Sequence, residues 1–170
     1  MNLKNKIIIE DDFFSSEILN LIHYDLSEFK FTNRYTEKNN TVAQKIYFNV
    51  SLSTEHFAVK ETKNKINKIG IKIQDMDSYY FLSAKHKDAT PHNDLPHDIN
   101  CLIYLQGNYL INSGTGFYDI IDNKYVLNTH VGFKENRAII FDSGLAHASL
   151  QFNENCGKRF AMTNFINMKN

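Results

Sequence analysis

The chain has 170 residues, 42% hydrophobic and 13% aromatic, which suffices for one buried core and is too apolar for a disordered chain. Lysine plus arginine equals aspartate plus glutamate at 19 each, and the lysines from Lys60 to Lys68 read as a solvated helix face, so charge indicates no nucleic-acid partner. Two cysteines, Cys101 and Cys156, have no metal or redox spacing, and no apolar run is long enough for a signal peptide or a membrane span. The expectation is a single domain over residues 1–170 in the reducing cytoplasm, away from membranes, with no feature that sets an oligomeric state.

Ile7 to Ile9 reads as a short strand, and Ser15 or Ser16 can cap a helix whose apolar positions are Ile18, Leu19, Leu21, Ile22 and Leu26. Residues 30 to 50 are polar and irregular until Ile46, Phe48 and Val50 alternate as a strand does. A long polar loop of this kind often covers an active site, and 33–45 and 85–89 are candidate lids. Ser53 or Thr54 is placed to cap a second helix running roughly to Ile69, with Gly70 ending it. From there the period changes. Segments near 71–84, 99–106, 115–121, 125–133, 138–142, 146–151 and 159–167 are rich in Ile, Val, Tyr and Phe and are separated by Gly, Asn, Asp or Ser. Helices followed by closely spaced strands predict a mainly β (α+β) sandwich or double-sheet jelly roll, with the helices packed on one outer face.

The chemistry concentrates in His92-Asn93-Asp94, His147 and Arg159. Two imidazoles and one carboxylate can occupy one face of an iron(II) ion and leave the opposite positions open. In extended backbone His92 and Asp94 project to the same side, and His147, opening a strand after Asp142-Ser143-Gly144, can complete the triangle. With seven His in the chain, random placement yields roughly half an occurrence of His-x-Asp, so the spacing alone decides nothing. A second pair, His86 and Asp88, competes. Pro91 and Pro96 around the later pair hold extended backbone and favour it. His97 reads as a loop histidine, and His23, His56 and His130 as structural.

Arg159 opens the last strand segment, and alternation sets Ala161 and Thr163 on its side. A guanidinium among small residues inside a barrel needs an anion, either a co-substrate carboxylate or Asp142 or Glu154 at the rim. Gly114-Thr115-Gly116 lacks the lysine and helix of a phosphate loop and reads as the start of a strand.

The ordered set Pro91-His92-Asn93-Asp94, Cys101-Leu102-Ile103-Tyr104-Leu105, Gly114-Thr115-Gly116-Phe117, Arg137-Ala138-Ile139-Ile140-Phe141, His147 and Gly157-Lys158-Arg159-Phe160-Ala161-Met162-Thr163 resembles the iron(II)- and 2-oxoglutarate-dependent dioxygenases, and within them the prolyl-hydroxylase-like branch. The resemblance spans roughly residues 79–167 and implies a double-stranded β-helix there. It implies His92, Asp94 and His147 as iron ligands and Arg159, Tyr104 and Thr163 as contacts to the distal carboxylate of 2-oxoglutarate; some relatives use lysine in place of the arginine, but alternation points the adjacent Lys158 to the other face. It further implies oxygen as co-substrate, ascorbate as a supporting reductant, and hydroxylation of a C–H bond in a peptide, protein or small-molecule substrate, with release of succinate and carbon dioxide. Because Asp94 keeps the carboxylate, the resemblance is not to halogenating relatives. Two other readings are a cupin-like metal enzyme that does not use 2-oxoglutarate and a non-catalytic β-barrel binding protein.

Overall fold

The computed structural model describes residues 4–31, 47–83, 90–107, 113–151 and 159–169. In chain order the elements are β1 (Ile7–Glu10), α1 (Ser16–Glu28), β2 (Tyr47–Leu52), α2 (Phe57–Lys68), β3 (Ile73–Ser83), β4 (Ile99–Gln106), β5 (Ser113–Ile121), β6 (Lys124–Gly132), β7 (Ala138–Asp142), β8 (Ala146–Gln151) and β9 (Arg159–Met168). They form a double-stranded β-helix. The larger sheet has the order β1-β7-β4-β9-β3-β2 and the smaller one β6-β5-β8, with antiparallel pairing throughout.

Period-two alternation divides the larger sheet into two faces with different tasks. Ile99, Cys101, Ile103 and Leu105 of β4, Ala138 and Ile140 of β7, and Met162 and Ile166 of β9 are fully buried against α1 and α2. The other face, carrying Tyr104, Ile139 and Phe141, meets Phe117 and Val131 of the smaller sheet together with Phe133 and closes the inside of the roll. The helices thus pack on one outer face, and the inner face is left for chemistry. Asp122 and Asn123, both at positive φ (50° and 60°), make the two-residue turn between β5 and β6.

Ser15 caps α1 by accepting from the Ile18 N–H at 3.4 Å. Ile22 and Leu26 face the sheet, whereas Leu21 is 51% exposed, one residue beyond the buried stripe. The N-cap of α2 is His56, not Ser53 or Thr54. Its Nδ1 accepts from the Ala58 N–H at 3.3 Å and its Nε2 lies 2.9 Å from an Asp25 carboxylate oxygen. Ser53 contributes only its carbonyl, which accepts from the His56 N–H at 3.0 Å. Gly70, at φ 88°, follows the helix end as anticipated. Among the described residues no helix is long and apolar enough to cross a membrane. The lid segments 33–45 and 85–89, the His86–Asp88 pair, Glu154, Cys156 and Lys158 lie outside the described residues.

Candidate metal centre

His92 and His147 meet through their backbones. The His92 N–H donates to the His147 carbonyl at 3.0 Å and the reverse bond is 2.8 Å, an isolated antiparallel bridge at the start of β8. The Asp94 N–H donates to the carbonyl of Ser143 at 2.9 Å, so both ends of His92-Asn93-Asp94 are pinned to the turn and strand that carry His147. Pro96 takes no part in this extended stretch; it sits in a turn after a cis Leu95–Pro96 bond. His147 Nε2 lies 3.3 Å from Asp94 Oδ2, and His92 Nε2 lies 3.8 Å from Asp94 Oδ1. One donor atom from each of the three residues falls within 4.8 Å of the others, the one such group of His, Cys, Asp and Glu among the described residues.

The donor chemistry fits a divalent metal. His92 Nδ1 is 3.2 Å from the Thr90 carbonyl and His147 Nδ1 is 3.0 Å from the Leu145 carbonyl. A carbonyl only accepts, so each Nδ1 carries a hydrogen, and in the neutral rings the Nε2 lone pair is the one turned to the centre. His147 is 7% exposed, with its ring centroid 4.7 Å from that of Phe141 and 6.2 Å from that of Phe117, while the His92 side chain is 57% exposed. Burial pushes the Asp94 carboxyl up, but in the metal-free centre the His147 imidazole when protonated, the Asn100 amide and the protonated His92 ring outweigh it and hold the group below its ordinary value. It is a carboxylate at neutral pH.

Inside the same roll, β9 presents Arg159, Ala161, Thr163 and Phe165 on one face, in register with Tyr104, Leu102 and Asn100 of β4. Arg159 is 8% exposed. Its guanidinium donates to Ser149 Oγ, reaches the carbonyls of Gly114 and Leu150 at 3.4 Å each, and lies 5.9 Å from the Phe133 ring centre. Asp142, offered by the sequence as a rim partner for Arg159, instead accepts from the backbone N–H groups of Asn5 and Gly144, at 2.8 Å each. Tyr104 is 2% exposed, shares a 2.8 Å hydrogen bond with Thr115 Oγ1 and reaches the Val131 carbonyl at 3.3 Å. Burial pushes its phenol up to about 12, so the hydroxyl stays a donor at any working pH. Thr163 is buried on the Arg159 face.

The structure therefore brings His92, Asp94 and His147 together, and sets Arg159, Tyr104 and Thr163 on the lining of the same roll. Asn100, Thr115 and Ser149 escaped the sequence reading. Each is a polar residue at an inward position of a strand, and the signal that could have found them is the alternation itself, which puts Asn100 on Tyr104's face and Ser149 on His147's. His97 stays in the loop before β4, stacked on Phe165 at 5.1 Å and 28°. His56 serves the α2 cap, and His23 Nε2 lies 3.1 Å from the Leu105 carbonyl, both outside the roll's lining.

Among solved structures, a prolyl hydroxylase from Trichoplax adhaerens in complex with a hypoxia inducible factor peptide fragment matches with TM-score 0.65 at 16% identity, over 95% of this chain and 83% of that one. A Pseudomonas putida prolyl-4-hydroxylase matches with TM-score 0.59 at 13% identity, over 98% of this chain and 94% of that one. HygX from Streptomyces hygroscopicus, with nickel and 2-oxoglutarate bound, matches with TM-score 0.65 at 10% identity, over 94% and 82%. The fold is thus the one shared by these hydroxylases and HygX. No protein-family model matches the chain, and no curated protein does.

Proposed function

We propose that this protein is an iron(II)- and 2-oxoglutarate-dependent oxygenase that hydroxylates a C–H bond. The observation that carries the reading is the convergence of His92 Nε2, Asp94 and His147 Nε2 on the inner side of a β-helix whose lining also holds a buried arginine. When bound, iron with 2-oxoglutarate and oxygen supplies an oxidising equivalent, the co-substrate leaving as succinate and carbon dioxide. The chain's own residues do the rest. His92, Asp94 and His147 would hold the metal. The guanidinium of Arg159 holds the far carboxylate of 2-oxoglutarate as a charge-assisted donor, joined by the Tyr104 hydroxyl, with Thr163 as a third contact. Thr115 and Ser149 hold the Tyr104 and Arg159 groups in place, so binding asks only that the Tyr104 hydroxyl hydrogen turn from the Val131 carbonyl to the carboxylate, with Thr115 donating to the phenol oxygen. Phe117, Phe133 and Phe141 keep water from the inner end of the roll.

A prolyl or other peptide side chain is the substrate class to test first, because the Trichoplax neighbour holds a peptide; HygX, solved with hygromycin B, makes small polar molecules the second. The test is anaerobic titration of the iron(II)-loaded protein with 2-oxoglutarate, followed through the visible metal-to-ligand charge-transfer band. The band should appear in the parent, vanish in His147→Ala, and shift to higher 2-oxoglutarate concentration in Arg159→Ala. Iron-loaded, folded parent protein with no band would sink the 2-oxoglutarate assignment in favour of the cupin-like reading.

A further inference from the structure

We propose that Asn100 is a positioning residue that decides which oxygen of Asp94 meets the metal, an inference that rests on the function proposed above. Asn100 sits on β4 at 3% exposure, and its Nδ2 donates to Asp94 Oδ2 at 2.5 Å. A carboxylate only accepts, so this contact sets the amide orientation: the NH2 faces Asp94 and Oδ1 is turned away. That Oδ1 is buried and has no hydrogen-bond partner among the described residues. In register Asn100 lies between Phe141 of β7 and Phe165 of β9. An amide between two phenylalanines, with its carbonyl oxygen unpaired, is a poor choice for packing, and an apolar residue would serve the sheet better. Among the described residues its side chain has one polar partner, and that partner is a metal-ligand candidate.

The geometry at Asp94 says what that contact does. The backbone N–H of Asp94 is held by Ser143, and Asn100 holds one carboxylate oxygen, so backbone and carboxylate plane are both set. With Oδ2 taken by the Asn100 amide and faced by His147, Oδ1 remains on the side of the exposed His92 as the metal-binding oxygen. Asn100 thereby fixes a carboxylate that would otherwise rotate, as hydrogen-bond partners of metal ligands do generally.

A pair of β-branched variants separates this role from packing. Asn100→Val fills the strand position without a donor, and Asn100→Thr has nearly the same shape with a hydroxyl that donates. Apo-protein Tm and Mn(II) affinity by EPR titration are measured for both and for the parent. Expected is an Asn100→Val protein with Tm at or above the parent and Mn(II) affinity weakened about 10- to 100-fold, and an Asn100→Thr protein that recovers part of that affinity. Equal Mn(II) binding by parent and Asn100→Val overturns the proposal and leaves the oxygenase reading standing. So does a fall in Tm for both variants with equal loss of binding, which would make Asn100 a structural residue. Parent protein that folds and binds no Mn(II) removes the proposed metal centre itself.

Discussion

At Arg159 a cation is held among backbone carbonyls and a serine hydroxyl on the lining of the roll. Truncation to alanine should weaken 2-oxoglutarate binding by about 2–3 kcal/mol, roughly 30- to 150-fold in Kd, the range for hydrogen bonds to a charged group. Lysine retains the charge and loses the planar fork, so Arg159→Lys should fall between parent and alanine. Tyr104→Phe removes one neutral donor and should cost about 1 kcal/mol, roughly fivefold. Calorimetric titration of the Mn(II)-loaded protein reads all three. If Arg159→Ala binds like the parent, the anion lies elsewhere. His92, Asp94, His147 and Arg159 are chemically unusual side chains at strand-compatible spacings, whereas Asn100, Thr115 and Ser149 are common polar residues whose importance comes only from what lies opposite them.

Elements show the same division. The strand segments of the roll are legible because alternation of Ile, Val, Phe and Tyr persists over whole strands, and β4, β7 and β8 match the predicted segments end to end. The α2 cap was misplaced because Ser53 and Thr54 have the right chemistry nearby, while His56 becomes a cap through Asp25 on α1, a tertiary partner. His56→Ala should therefore destabilise the protein by about 1–2 kcal/mol in denaturant unfolding, and Ser53→Ala by less than about 0.5. The reverse order would return the cap to Ser53. In the smaller sheet, Gly114 has φ 156°, and a Cβ there would run into the backbone carbonyl of Val131 on β6. Because a backbone group cannot move aside, Gly114→Ala should cost a few kcal/mol, roughly 2 to 4, and weaken 2-oxoglutarate binding as well, since the Gly114 carbonyl is an Arg159 partner. Parent-like Tm for Gly114→Ala would contradict the close pairing of β5 and β6.

For the whole molecule, ligands that bind only the native state must raise its stability. Mn(II) with 2-oxoglutarate at about 100 times Kd adds about 2.7 kcal/mol, or roughly 5–10 °C in Tm for a chain of this size, and the His147→Ala protein should show little of it. Acid should loosen the contact between the segment after β1 and the β6–β7 connection. Asp11 accepts from Lys134 Nζ at 2.8 Å and from Arg137 Nε at 2.6 Å, and the Arg137 guanidinium, then Lys134, holds its carboxyl well below the usual carboxylate range. A depressed folded value means the contribution is present above the unfolded pKa, about 3.9, and is lost as pH falls below it. Asp11→Asn should flatten the fall of Tm below about pH 4, and an unchanged slope would show that other carboxylates dominate. The strand pattern, the outer helices and the four residues with unusual chemistry were legible in the amino-acid order alone, because periodicity and side-chain type are local properties. The Asn100 contact with Asp94, the support of Arg159 and Tyr104 by Ser149 and Thr115, and the capping of α2 by His56 emerge only once the chain is folded. Those contacts join residues 6 to 31 positions apart in sequence and depend on sheet register and helix docking, which no local pattern specifies.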